Sequence, residues 1–194
     1  KEAGVATHAQ DQDRLSSSET RKLIAADKVE GTTVRNRAGE KLGSIGLASV
    51  SDVEQAAKDA AAAQAEWANT NPEVRAAILR KAGELFEQHA AEIESWIVKE
   101  AGSIPPKAGL ETHVAAQECF EASALPMHPM GQVLPSSAEH WSMTRRRPAG
   151  VVTVIAPFNF PLILSIRSIA PALALGNTVL FKPDPRTAVG AGAS

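Results

Sequence analysis

Cysteine is nearly absent: Cys119 is the one cysteine in 194 residues. No internal disulfide can form, which excludes a disulfide-stapled secreted scaffold and fits a reducing, cytoplasmic setting. Long apolar runs are also missing, and none approaches the roughly 20 residues of a membrane-spanning helix. Lys1–Leu15 is polar and carries no apolar core of a signal peptide. Neither sign of charge prevails, with 22 acids against 20 Lys and Arg and a net charge of −2. That balance excludes a general field for nucleic acid or an acidic membrane. The run Arg145–Arg147 is short and reads as a solvated edge or subunit contact. The five histidines show no tight metal-ligand spacing, and Glu111 and His113, two positions apart, do not share a helix face; no metal site is read. No G-x-G-x-x-G is present, so no turn has the glycines that let a backbone lie against a dinucleotide's phosphates.

What the chain does carry is a succession of helix and strand signals, long enough to bury a core as one domain or two. Residues 1–20 are polar and are expected to be mobile. Residues 21–131 read as a hairpin followed by helices. Thr32–Arg37 and Lys41–Ile45 flank a turn at Ala38–Glu40. Ser51 with Glu54 reads as a capping box for a helix whose Val53, Ala56, Ala57 and Ala60 share a face. Asn71 and Pro72 open a second helix as cap and first-turn proline. Its buried stripe is Ile78, Ala82, Leu85, Phe86, Ile93, Trp96 and Ile97, and Gly102 ends it. Leu110–Ala124 is a third helix, closed by Pro126. Residues 132–147 hold two strand signals, Gln132–Leu134 and Trp141–Arg147.

Residues 148–194 are the most informative. Val151–Ile155 is an apolar run of strand length, broken by Ala156–Asn159. Phe160–Leu175 has apolar residues at helical spacing and is stopped by Gly176 and Asn177. Thr178–Phe181 is a second strand, closed by Lys182, Pro183 and Asp184. This order predicts a βαβ unit with parallel neighbouring strands. Ligands in such sheets bind beyond the carboxyl ends of the strands, where Asn159 and Lys182 stand. Taken alone, Asn159 reads as a helix cap and Lys182 as an ordinary surface lysine.

The segments Pro148–Leu162 and Ala170–Pro183 closely resemble two motifs of the aldehyde dehydrogenase superfamily, P-x-G-V-V…I-x-P-[WF]-N-[FY]-P-L and A-P-A-L-x-x-G-N-[TA]-V-[VL]-x-K-P. A weaker resemblance extends upstream through Asn36–Ala65, Trp67, Arg75, Leu79 and Glu100-Ala101-Gly102. The variants at Gly102–Ala108 and Lys182–Ala188 look most like the benzaldehyde and vanillin dehydrogenase branch. The resemblance implies an α/β fold: a Rossmann-like parallel sheet with N-terminal helices and a β-strand oligomerisation arm at 132–147. It also implies a truncated chain, with the family's cysteine nucleophile and glutamate base lying beyond Ser194. This portion alone is then expected to be inactive.

The resemblance assigns roles residue by residue. Asn159 matches the asparagine that donates to the substrate carbonyl oxygen as an aldehyde becomes a tetrahedral thiohemiacetal. Ile155, Ala156, Pro157 and Phe158 form the turn lining the nicotinamide side of the cofactor. Lys182 matches the lysine that bonds the adenosine ribose. Asp184 either caps the next helix or touches the ribose. Pro185 stands where NAD-preferring members often place a ribose-chelating glutamate. With Lys182 and Arg186 nearby, NADP is expected to be accepted alongside NAD. Arg167 and Ser168 sit on the helix that lines the family's substrate tunnel; a structural ion pair is the competing reading for Arg167. Cys119, mid-helix without a neighbouring His or Lys, reads as a buried, inert thiol. The implied reaction is NAD(P)-dependent oxidation of a small, aromatic aldehyde to its acid in a homodimer or homotetramer. A non-catalytic nucleotide-binding or interaction module of the same fold is the alternative.

Overall fold

The computed structural model describes residues 31–137 and 139–192; the segment 1–20, expected to be mobile, lies outside them. The hairpin forms as predicted, β1 (Gly31–Arg35) pairing antiparallel with β2 (Lys41–Gly46). Its turn is closed by the Asn36 side chain, whose Oδ1 accepts the Glu40 N–H at 2.9 Å. Gly39 takes φ 85° there, a left-handed conformation that a side chain would strain.

Helix α1 (Val50–Asn69) is capped one pattern earlier than expected. Ser49 and Asp52, not Ser51 and Glu54, form the reciprocal capping box. Both pairs have the required spacing, and the upstream one adds two residues to the helix. Of the face shared by Val53, Ala56, Ala57 and Ala60, the alanines are half-buried and Val53 is 49% exposed; α1 holds no fully buried residue. Polar side chains tether it instead. Trp67 Nε1 donates to Leu173 O at 3.0 Å, and Thr178 Oγ1 donates to Ala60 O at 2.9 Å.

The single helix expected between Asn71 and Gly102 is two: α2 (Pro72–Gln88) and α3 (Ala90–Ala101). Asn71 caps α2 through the Glu73 N–H, with Pro72 in the first turn, and Gly102 ends α3 at φ 63°. Arg75, Leu79, Gly83 and Phe86 form the buried face of α2. Ile78 and Leu85, predicted to join it, are exposed at 49% and 41%. They lie about 100° around the helix from Leu79 and Phe86. The third helix, α4 (Pro105–Ala124), starts before the predicted Leu110 because Pro105 opens it. A first-turn proline lacks only an N–H that would have been unpaired there anyway. Small buried residues along α4, Ala108, Ala115, Ala116 and Ala122, allow close packing. A side-chain Cβ at Gly83 of α2 would fall 2.5 Å from the Phe120 ring.

A short 3-10 turn, Leu125–Met127, leads into a two-stranded ribbon, β3 (Val133–Leu134) against β4 (Ser142–Met143), shorter than the predicted strands. The βαβ unit follows: β5 (Val151–Ile155), α5 (Pro161–Ala174) and β6 (Thr178–Lys182), with the strands parallel and Ile155 opposite Lys182. A 3-10 turn, Pro185–Thr187, and α6 (Ala188–Gly192) close the described chain. Asn177, read in the sequence only as a helix stop, also clasps the strand entry. Its Oδ1 accepts the Ala149 and Gly150 N–H groups and its Nδ2 donates to Ala172 O.

The core lies among α2–α5 rather than on the sheet, around Leu79, Phe86, Ile97, Leu162 and Ile166. Full burial of Ile97 and Leu162 contributes about 1.5–3 kcal/mol each. One charge is sunk beside it. Arg75, 5% exposed, donates from Nε to Ala174 O at 3.1 Å and from Nη1 to Thr70 O and, at 3.4 Å, Ala68 O. Its guanidinium thereby joins the C-terminal ends of α1 and α5, where helix dipoles favour a cation.

Candidate active site at the strand ends

β5 and β6 end side by side, and the Ala156 N–H extends the ladder to Lys182 O at 3.1 Å. The chain then turns through Pro157, Phe158 and Asn159 into α5. The helix cap is Phe160, with no side-chain cap bond, so Asn159 does not fill the capping role open to it in the sequence. Asn159 is exposed and lines a cleft of about 610 Å³ with Lys107, Phe158, Arg186 and Thr187.

Two buried carboxylates, neither singled out in the sequence as a site residue, hold this region together. Glu111 on α4 is 0% exposed. One of its oxygens pairs with Lys107 Nζ, and the other accepts the Leu162 N–H at 3.3 Å, in the first turn of α5. Lys107 Nζ also lies 4.1 Å from the Phe160 ring centroid. Glu100 on α3, 4% exposed, accepts the Val189 N–H at 3.0 Å and the Gly190 N–H at 2.6 Å. Burial raises its pKa against the pull of those two donors. A Cβ at Gly190 would lie 3.1 Å from Glu100 Oε2, so the glycine permits that close approach. The available signals were the (i, i+4) Lys107–Glu111 spacing among alanines and the Glu100-Ala101-Gly102 triplet.

The remaining predicted residues distribute as follows. Ile155 is 70% exposed and Ala156 is buried; Pro157 is exposed. Phe158, 42% exposed, carries the Arg186 guanidinium 3.6 Å from its ring centroid. Lys182 is exposed and, among the described residues, donates only to Pro183 O, at 3.3 Å. Asp184 caps the 3-10 turn by accepting the Arg186 N–H, and it grips the Arg186 side chain with two bonds of 2.8 Å. That side-chain bond chiefly lowers its pKa. Pro185 is exposed in the first position of the turn. Ile155, Pro157, Lys182, Asp184 and Pro185 share the strand ends but do not line the cleft. Thr187 does line it; its side chain is 1% exposed and its hydroxyl has no partner among the described residues.

Arg167 forms an ion pair, Nε to Glu118 Oε1 at 2.9 Å, at the surface rather than in a buried setting. Cys119 is buried, and desolvation, aided by the Glu118 charge, pushes its thiol up to about 11. Among the described residues no helix is long and apolar enough to cross a membrane.

Comparison with known proteins shows the family and the fold. Residues 24–193 match the profile of the aldehyde dehydrogenase family. A vanillin dehydrogenase of an Amycolatopsis species is 61% identical over 82% of this chain and 33% of its own length. A benzaldehyde dehydrogenase [NAD(+)] of Pseudomonas putida is 46% identical over 80% of the chain and 32% of its own length. The crystal structure of an NAD-dependent benzaldehyde dehydrogenase from Corynebacterium glutamicum superimposes with a TM-score of 0.81 at 41% identity. It covers 85% of this chain and 36% of that one. The chain thus spans about a third of the length of the relatives it matches.

Proposed function

Given that the chain belongs to the aldehyde dehydrogenase family, we propose that it supplies the oxyanion donor and part of the cofactor site of an NAD(P)-dependent dehydrogenase acting on aromatic aldehydes. The observation carrying this reading is Asn159. Its amide stands at the carboxyl end of a parallel strand, lines a cleft, and is engaged in no hydrogen bond among the described residues. In the proposed reaction a cysteine thiolate adds to the aldehyde carbon. The carbonyl π pair moves onto oxygen, and the Asn159 N–H donates to that growing charge. A fixed donor in a dry site stabilises the charge more than it stabilises the ground state.

The residues present fit a dinucleotide of this kind in two respects. Lys182 keeps ammonium protons beyond its one carbonyl contact among the described residues, suited to a ribose diol. The exposed turn at Pro157 and Phe158 offers an apolar wall. When bound, the nicotinamide supplies the oxidant. The nucleophile is assigned to a residue other than Cys119, since a buried thiol pushed up to about 11 carries almost no thiolate at neutral pH. These 194 residues alone are therefore proposed to be inactive. The β3–β4 ribbon, with Trp141 83% and Met143 70% exposed, is proposed as a subunit contact of a homodimer or homotetramer, which sedimentation would read.

The test is Asn159→Ala in the complete enzyme, assayed with benzaldehyde and NAD⁺. The rate constant kcat should fall about 10²–10³-fold with KM little changed; an unchanged kcat sinks the reading. NADP⁺ should also serve, because Pro185 offers no carboxylate to repel a 2′-phosphate. A preference for NAD⁺ of about hundredfold or more in a cofactor titration would refute that part.

A further inference from the structure

We propose that Glu111 is the positioning residue for Asn159, acting through the first turn of α5 and held in place by Lys107. This rests on the oxyanion role proposed for Asn159. The N-terminus of α5 has no local cap: Phe160 makes no side-chain bond there, and Pro161 has no N–H to give. The first N–H available in the helix is that of Leu162, and it is taken by Glu111 from another helix, 51 residues away in sequence. The two carboxylate oxygens divide the work, Oε1 facing Lys107 and Oε2 facing Leu162.

The consequence for Asn159 is geometric. It sits two residues before the first helical position, in a turn with neither glycine freedom nor a cap of its own. Leu162 is 0% exposed and packed in the core, so a tie at its N–H fixes the start of the helix axis. The turn leading into it is fixed at both ends: by the ladder bond of Ala156 at one and by Glu111 at the other. Lys107 joins the device from the cleft wall, with Nζ shared between Glu111, Ser103 Oγ at 3.1 Å and the Phe160 ring. Its charge keeps a carboxylate tolerable at a position with no solvent.

Glutamine at 111 keeps the volume but has one acceptor oxygen, so it cannot hold both Lys107 and Leu162. The experiment is a double-mutant cycle in the complete enzyme between Glu111→Gln and Asn159→Ala, with benzaldehyde and NAD⁺. With Asn159 present, Glu111→Gln should lower kcat about tenfold while both KM values stay within about twofold, since a displacement near 1 Å can cost up to about 10²-fold. In the Asn159→Ala background the same substitution should change kcat less than about twofold, because the group it positions is gone. Equal losses in both backgrounds, or no loss in either, overturn the proposal and leave the Asn159 role standing. An unchanged kcat for Asn159→Ala alone would instead refute the function on which it rests. If Glu111→Gln does not yield folded enzyme, the cycle is run with Lys107→Met, at the rim of the cleft, and additivity there overturns the proposal equally.

Discussion

Arg75 offers the sharpest test of how this fold is held. Its guanidinium is 5% exposed, has no ion pair among the described residues, and is met by carbonyls from the ends of two helices. Burial alone presses its pKa down, as expected for a cation compensated by carbonyl dipoles rather than by a carboxylate. Replacing it with methionine keeps the aliphatic stem and removes the fork. Two firm charge-assisted bonds are lost, about 1.5–3 kcal/mol each, and carbonyls at two helix ends are left without a donor. Relief of the guanidinium's desolvation offsets part of this, leaving a net loss of about 3 kcal/mol. For a domain of this size that is a fall in Tm of about 6–12 °C, read by far-ultraviolet circular dichroism. Lysine should recover only part of it, because a point charge cannot reach both helix ends. A shift below about 2 °C for Arg75→Met would refute the argument, and full recovery by lysine would show that charge, not the fork, is what matters.

Two further outcomes follow from titration. Cys119, pushed up to about 11 by burial, should carry about one thiolate in a thousand at pH 8, so iodoacetamide should label the chain only after denaturation; rapid native labelling would contradict its burial. Asp184, held low first by its bond from Arg186, should protonate below the ordinary 3.8. Because its folded pKa is depressed, the stability it contributes is present above the unfolded value and lost as pH falls through the folded one. Arg186→Ala should return the Asp184 carboxyl toward its ordinary value in an NMR titration, and no movement would discount that bond.

The parts legible in the sequence were those with strong local grammar. Val151–Ile155 was readable as a strand to the residue because β-branched residues run unbroken to the Ala-Pro that follows. The Gly176–Asn177 stop was readable because glycine takes φ 84° there. What escaped was decided by tertiary partners. The third helix was expected only from Leu110, yet it begins at Pro105, because the first position of a helix is where proline fits. The break at His89 carries no glycine or proline to announce it. Ile78 and Leu85 have the composition of a core stripe and lie off its axis. The functional candidates Asn159 and Lys182 were found through their motifs, whereas Glu100 and Glu111 were not. Their partners 51 and 89 residues away leave no local trace, and the Lys107–Glu111 spacing and the Glu100-Ala101-Gly102 triplet do not by themselves announce burial.

Those two carboxylates also bear on the absent glycine fingerprint. In a usual dinucleotide fold, glycines after the first strand let phosphate oxygens reach the free N–H groups of the next helix. Here the free N–H at the start of α5 is occupied by Glu111, and those opening α6 by Glu100. Each carboxylate takes up N–H donors that a phosphate would otherwise use. A glycine fingerprint at Ala156–Phe158 would therefore bring the backbone no closer to any anion. Freed from cradling a phosphate, the turn can hold Pro157 and Phe158, which stiffen it and give it an apolar face. A stiff turn between a ladder bond and a buried anchor is what a single amide donor requires if it is to hold its direction while charge develops in front of it. On the oxyanion role proposed for Asn159, the absence of the fingerprint and the placement of that amide go together, through residues on α3 and α4 rather than in the turn itself.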